Sequence, residues 1–277
     1  PTGIMKKFFV IGNPIEHTLS PAVHQHWFEK NNVKATYEKK LLEVKDLKTI
    51  IKDIKNDHVT GINVTVPFKQ KIIPLLDELS IVAQSTLSVN TIYKNNNKVI
   101  GDNTDVGGFQ KSLTDSISKE SIKSALLIGA GGVAPSIVYA LKTLGIEQIF
   151  ITNRTVEKIV NLQEKFGPLL TKIVWEDLSK QQLNVDIIIN ATSLGLNNNH
   201  MVDLNFSSID KKTIFYDVIY NPSETRLLQK AKKHGCHTIN GMKMFLYQAQ
   251  LAFEIWNQIK PAINADLTNI LAKKLYD

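Results

Sequence analysis

One stretch, SALLIGAGGVAPSIVYAL from Ser124 to Leu141, restricts this chain more than any other. An apolar run enters a cluster of glycines and leaves as a helix-like segment, so the order is strand, tight turn, helix. Gly129-Ala130-Gly131-Gly132-Val133-Ala134 satisfies G-x-G-x-x-G/A. In that pattern the first glycine permits the turn, the second lets backbone approach a pyrophosphate, and a small last residue lets the helix lie close to the strand. The helix N-terminus offers N–H groups to an anion. Pro135 fits the first helical turn, where the N–H it lacks has no partner to lose. A bare glycine pattern is weak evidence, but its flanks make it a dinucleotide-binding loop, with a merely structural turn as the alternative.

The surrounding chain repeats the alternation. Strands are expected near ALLIGAG, QIFITNR, TKIVW, DIIINAT and TIFYDVI, with helical stretches between them. This succession predicts a Rossmann-type parallel sheet covered by helices over residues 107–241. Earlier, Phe8 to Gly12 reads as a strand and SPAVHQHWFEK as a helix with Ser20 as N-cap and Pro21 at its first position. ATYEKKLL and VTGINVTV read as strands, and VKDLKTIIKDI and KQKIIPLLDEL as helices. From Met242 the chain is helical, with Leu246, Ala249, Phe253 and Trp256 on one face. That face needs a partner, and the N-terminal part is the expected one. The fold class is therefore α/β with two domains, residues 1–106 with 242–277 and residues 107–241, and 277 residues suffice for two cores.

An enzyme preferring NAD usually has Asp or Glu at the end of the second strand, against the ribose 2′-hydroxyl. Here Asn153, Arg154 and Thr155 stand there. A guanidinium can grip a 2′-phosphate through forked hydrogen bonds, and no carboxylate repels it, so the reading is NADP(H) over NAD. The alternative makes Arg154 one more surface cation and Thr155 a helix cap.

Composition narrows the partners. Lys and Arg exceed Asp and Glu by 33 to 26, a net charge of +7, which suits a phosphate-bearing cofactor and a carboxylate substrate. No dense basic block with interleaved aromatics points to nucleic acid. The lysines near Lys45–Lys55 and Lys230–Lys233 read as solvated faces. The one cysteine, Cys236, reads as a small buried residue and suits a reducing compartment. His17, His24 and His26 lack a carboxylate or cysteine cluster, so no metal is expected. No apolar run reaches the roughly 18 residues of a membrane span, and no secretion signal is seen, so the cytoplasm is expected. Pro1–Ile4 are read as a cloning remnant before a native Met5.

Two further segments hold unusual polar combinations. In GNPIEHTLSPAVH, Thr18 and Ser20 suit helix capping or a ligand carboxylate. In VNTIYKNNNKVIGDNTDVGG, Asn90, Asn103 and Asp105 end apolar stretches, where polar groups commonly shape turns. Lys69 in NVTVPFKQK would by default be a solvated strand-end lysine. Taken in order, HTLSP, NVTVPFK, VNTI, GDNTDVGG, GAGG, NRT, NATSLG, DVIYNPSET and GMKMFLYQA make nearly the entire chain resemble the shikimate dehydrogenase family.

That resemblance implies an N-terminal α/β substrate domain completed by C-terminal helices, with the NADP domain inserted between. It implies NADPH-dependent reduction of 3-dehydroshikimate to shikimate, with Lys69 and Asp105 as the catalytic pair. Thr18 and Ser20 would bind the substrate carboxylate, Thr65, Asn90 and Gln248 its ring hydroxyls, and Tyr220 would lie near substrate and nicotinamide. Gly129, Ala130, Gly131, Gly132, Val133, Ala134, Asn153, Arg154 and Thr155 would hold the nucleotide, Thr192 and Ser193 would lie in the cofactor loop, Gly241 would also bind the cofactor, and Met244 would pack by the nicotinamide. The family usually has serine at Thr18, glycine at Ser88 and tryptophan-glycine where WNQIKPA stands, and the first departure bears on substrate preference. Two alternatives remain: a quinate/shikimate dehydrogenase of the same superfamily, and a non-catalytic sensor of the same metabolite. Sequence leaves monomer or homodimer open.

Overall fold

The computed structural model describes residues 3–118, 122–196 and 201–276, so Pro1 and Thr2 of the expected remnant lie outside it. The first half of the chain forms β1 (Lys6–Gly12), α1 (Ser20–Lys30), β2 (Ala35–Leu41), α2 (Leu47–Lys55), β3 (Gly61–Val64), β4 (Glu78–Leu79), α3 (Ile81–Thr86), β5 (Thr91–Asn95), β6 (Lys98–Asp102) and α4 (Asp105–Ser116). The second forms β7 (Ser124–Ile128), α5 (Ala134–Thr143), β8 (Gln148–Thr152), α6 (Val156–Phe166), β9 (Leu170–Lys172), β10 (Ile187–Asn190), β11 (Ile214–Asp217), α7 (Arg226–Lys233), β12 (Thr238–Ile239), α8 (Met242–Asn257) and α9 (Ala265–Tyr276). These fall into two compact α/β units, Pro1–Gly108 with Leu246–Asp277, and Phe109–Phe245. Their boundaries lie inside α4 and α8, a few residues beyond the starts of those helices. A continuous helix has no break in composition to mark such a point.

The first unit is a mixed sheet in the order β2-β1-β3-β5-β6-β4. β1 pairs in parallel with β2 and β3, whereas β5 runs antiparallel to both β3 and β6. The β5–β6 hairpin turns through Asn96 and Asn97, both at positive φ (49° and 63°), the backbone a two-residue type I′ turn requires. Asn tolerates that region better than most residues, which is why a run of asparagines can stand where glycine is usual. In one core cluster α1 and α8 bring Trp27, Phe28, Phe253 and Trp256 against Phe8 and Tyr37, with His24 among them. The indole of Trp256 donates to the Ile92 carbonyl at 3.2 Å and that of Trp27 to Ala262 at 2.9 Å, so the tail completes this unit. A separate cluster joins Leu47, Ile50 and Ile54 of α2 with Ile62, Val64 and Ile92.

Two local expectations fail here. KQKIIPLLDEL forms a 3-10 turn at Ile73–Leu75 and the short β4 in place of a helix. Pro74 has no N–H to donate, its ring crowds the carbonyl four residues back, and it disfavours helical backbone at Ile73. Ser20 is already the first residue of α1, with Leu19 as its cap residue, and it is the Thr18 hydroxyl that accepts the Ser20 N–H, at 3.3 Å.

The second unit is a wholly parallel sheet in the order β12-β11-β10-β7-β8-β9. Strand order reverses between β7 and β10, the switch point at whose C-terminal edge doubly wound sheets bind ligands. Ala125–Ile128 and Ile187–Ile189 are fully buried, as expected of strands covered on both faces. TKIVW gives only part of β9, its Trp175 opening a 3-10 turn to Lys180, and β12 is too short to have shown a periodicity. No helix of the described residues is long and apolar enough to cross a membrane.

Candidate active site

In the first unit, the chain leaves β3 through a turn closed by the Phe68 N–H donating to the Thr65 carbonyl at 3.0 Å. Phe68 is 1% exposed and anchors the turn, while the Val89 N–H pins the Lys69 carbonyl at 2.9 Å. Lys69 Nζ lies 2.7 Å from Asp105 Oδ2, with only 12% and 8% of the two side chains exposed. Asp105 begins α4, where the positive end of the helix dipole favours a carboxylate. Asn103 supplies the cap, its Oδ1 accepting the Val106 N–H at 3.1 Å while its amide holds the Ser88 carbonyl at 3.0 Å. Two residues 36 positions apart thus form one part-buried ion pair.

Asn90 organises what surrounds that pair. Its Oδ1 accepts from the Thr104 N–H at 2.8 Å and the Thr91 hydroxyl at 2.9 Å. Its amide faces Thr104 Oγ1 at 2.8 Å, Asp105 Oδ1 at 3.3 Å and Gln248 Oε1 at 3.4 Å. An amide has two hydrogens, so the two long contacts are the weak ones. Behind it the Tyr37 hydroxyl donates to Asn63 Oδ1 at 2.7 Å, and the Asn63 amide reaches the Asn90 carbonyl at 3.0 Å. Sequence reasoning missed Tyr37, Asn63 and Thr104; the available signal was a lone asparagine inside the otherwise apolar GINV strand. Thr65 is half-buried, and its methyl occupies the space beside Gly12 where the first loop leaves β1. Thr18 follows in that loop, half-buried, and Ser20 opens α1 after it, buried.

In the second unit the glycine loop leaves β7 at the switch point. Gly129 has φ +112°, a backbone that disfavours any side chain, and a Cβ there would stand 3.0 Å from the Ala191 backbone after β10. The Ala130 N–H donates to Asn153 Oδ1 at 3.1 Å, and the Asn153 amide donates to the Thr155 carbonyl at 3.0 Å, so Asn153 braces two loops. The Ala134 N–H is spent on the Gly131 carbonyl at 3.1 Å and Pro135 has none, so the first turn of α5 offers fewer N–H groups than its sequence suggests. Gly132 and Val133 are half-buried and Ala134 is buried. A Cβ on Gly131 would meet nothing within 4 Å, so no packing inside the protein demands glycine at this position. Thr155 occupies the cap position of α6 without a capping bond from its hydroxyl, and Arg154 is exposed over the ring of Trp175 at 5.4 Å. An open space beside Gly131 together with a carboxylate-free turn after β8 fits a dinucleotide bearing a 2′-phosphate.

The loops after β10 and β11 share a buried hub. Asp217 has no exposed surface and accepts from the Asn190 amide at 3.3 Å, the Ile219 N–H at 3.1 Å and the Thr225 hydroxyl at 2.8 Å. Burial pushes its carboxyl up to about 6, although those hydrogen bonds pull the other way. Asn190 Oδ1 in turn accepts the Thr192 hydroxyl at 2.6 Å, and Thr192 Oγ1 accepts the Leu194 N–H at 3.1 Å. Ser193 is exposed beside it. Asp217 and Asn190 were also missed, although an aspartate ending an apolar strand is a readable signal. Tyr220 packs on Phe245 with centroids 4.7 Å apart, and Met244 is buried. Gly241 is required by close approach, since a Cβ would overlap the Val218 carbonyl oxygen.

Among the described residues no group of three His, Cys, Asp or Glu side chains could hold a metal ion. Two surface concavities, about 580 Å³ beside β4 and about 390 Å³ between α1 and α9, are lined by none of the site residues above.

Residues 10–92 match the family described as shikimate dehydrogenase substrate binding domain, and residues 111–243 match shikimate / quinate 5-dehydrogenase. The chain is 48% identical over 266 residues to the shikimate dehydrogenase (NADP(+)) of Pelagibacter ubique, covering 96% of this chain and 98% of that one. A solved shikimate 5-dehydrogenase of Thermus thermophilus, in complex with NADP(H) and shikimate, is similar with a TM-score of 0.85 and 29% identity over 98% of this chain and 100% of that one. A quinate dehydrogenase of Corynebacterium glutamicum in complex with NAD is similar with a TM-score of 0.87 but 26% identity, over 97% and 99% of the two chains. By matches spanning both units and an identity near one half along almost its whole length, this chain belongs to the shikimate dehydrogenase family.

Proposed function

We propose that this chain catalyses the reversible, NADPH-dependent reduction of 3-dehydroshikimate to shikimate, a step towards the aromatic amino acids, in the cytoplasm. The observation that carries the reading is the part-buried Lys69–Asp105 pair at 2.7 Å in a chain of this family. NADPH, when bound, supplies the hydride that reduces the ketone carbon and leaves negative charge on its oxygen. Lys69 meets that charge as an ammonium and passes its proton to the oxygen, completing the alcohol; in the oxidative direction neutral Lys69 takes the proton back. Asp105 holds the amine in place and accepts a hydrogen bond from a ring hydroxyl. The slight exposure of both groups limits water around the proton being moved.

Thr18 and Ser20 bind the substrate carboxylate, and Thr65, Asn90 and Gln248 the ring hydroxyls. The long contacts of the Asn90 amide, at 3.3 and 3.4 Å, are the ones a substrate oxygen replaces. Tyr220 is the residue assigned to the neighbourhood of substrate and nicotinamide. Gly129 to Ala134 cradle the pyrophosphate, Arg154 receives the 2′-phosphate with Asn153 and Thr155 as further cofactor-binding residues, Thr192 and Ser193 lie in the cofactor loop with Gly241 also binding the cofactor, and Met244 packs by the nicotinamide.

The test follows NADPH absorbance with shikimate and NADP⁺. Wild-type protein turns over, and Lys69→Ala loses about 10²–10⁴-fold in kcat, the usual worth of a general acid–base group. Turnover near the wild-type value in that variant would refute the role of Lys69. Parallel assays with quinate and with NAD⁺ decide whether the extra methyl of Thr18 has shifted substrate preference. Shikimate binding without any NADPH formation would mark a sensor.

A further inference from the structure

Arg154 is exposed, and none of the salt bridges among the described residues involves it. A free arginine on a surface samples many rotamers and gives up that freedom when it grips a phosphate. Here its guanidinium carbon lies 5.4 Å from the centroid of the Trp175 ring. Indole is the strongest of the aromatic faces for a cation. Trp175 is itself held, opening the 3-10 turn Trp175–Lys180 while its half-buried ring packs against the cluster of Leu178, Leu183 and Ile188. The ring is thus packed against the core on one side and carries the Arg154 guanidinium on the other.

We infer that Trp175 is a positioning residue for nucleotide choice: it holds Arg154 ready for a 2′-phosphate, so preference for NADP over NAD depends on Trp175 as well as on Arg154. This rests on the reading of Arg154 as the 2′-phosphate ligand. A group that merely fills the core would influence both nucleotides alike, because they differ only in that phosphate. A group that acts through Arg154 influences NADP alone.

Steady-state rates with NADP⁺ and with NAD⁺ are compared for wild type, Trp175→Leu, Trp175→Phe and Arg154→Ala. Leucine keeps apolar packing and removes the aromatic face, so KM for NADP⁺ rises about two- to five-fold while KM for NAD⁺ and both kcat values stay put. Phenylalanine, a weaker face, gives a smaller rise. In the Arg154→Ala background Trp175→Leu has no further effect, as expected if the two act as one unit. Titration with 2′,5′-ADP changes the tryptophan emission of wild type, that change is lost in Trp175→Leu, and 5′-AMP produces less of it. Should Trp175→Leu not fold, Trp175→Phe alone and with Arg154→Ala makes the same comparison.

An equal rise for both nucleotides, or none for either, overturns the inference and leaves the cofactor reading intact. A wild type indifferent to the 2′-phosphate removes that reading and this inference with it.

Discussion

His24 is fully buried, stacked parallel on Tyr37 at 4.4 Å, and neither of its ring nitrogens has a hydrogen-bond partner among the described residues. Loss of water around the imidazolium pushes its pKa from 6.5 down to about 3. The unfolded chain therefore takes up a proton near 6.5 that the folded chain refuses until about 3. Stability is unaffected by this residue above that window and falls through it as pH drops, by about 1.4 kcal/mol per pH unit. Between about pH 7.5 and about pH 5 the loss comes to about 2 kcal/mol. His24→Phe keeps a flat ring in the cluster and removes the titration. Its absolute stability combines overpacking with relief of two unsatisfied nitrogens, but both are independent of pH and cancel when one pH is subtracted from the other. Urea unfolding in a Trp175→Phe background, which leaves Trp27 and Trp256 of the same cluster as the only tryptophans, reads the difference by emission. Wild type should lose about 2 kcal/mol more than the variant over that interval. Equal losses in the two proteins would show that His24 is not held neutral by burial.

Asp217 carries the opposite sign. Its carboxyl is raised from 3.8 to about 6, so the folded state holds a proton that the unfolded chain has released between those values, and stability rises as pH falls through about 6. Asp217→Asn removes that dependence, so its stability relative to wild type should fall by up to about 3 kcal/mol between neutral pH and about pH 4; a difference unchanged with pH argues against a buried, reluctantly ionised carboxylate. Gly241→Ala places a methyl on the Val218 carbonyl oxygen and should cost about 3 kcal/mol or more of stability in urea unfolding. An unshifted midpoint would mean that the two loops do not approach this closely.

The second unit was legible because its signals are local. Uninterrupted Ile, Leu and Val runs such as LLI and IIIN mark strands covered on both faces, and the glycine loop fixes where the first helix begins. The first unit was read less well. A helical spacing in KQKIIPLLDEL hid the effect of Pro74, and the β5–β6 hairpin turns on asparagines in place of the usual glycine. The meeting of Lys69 with Asp105 could not be read from spacing at all and came from family resemblance. Asn63, Tyr37 and Thr104 escaped notice because their importance lies in contacts across strands, and Trp175 because its ring meets Arg154 only after β9 has been laid down.

The return of α8 to the first unit has a consequence for synthesis. A nascent chain halted at Phe245 already contains every residue of the second unit, a contiguous segment that can close its sheet on the ribosome. It lacks Phe253 and Trp256, so the aromatic cluster that covers β1 and β2 has no lid. The contiguous second unit can therefore close its sheet while residues 1–108 still lack the aromatic side chains that α8 adds to their core.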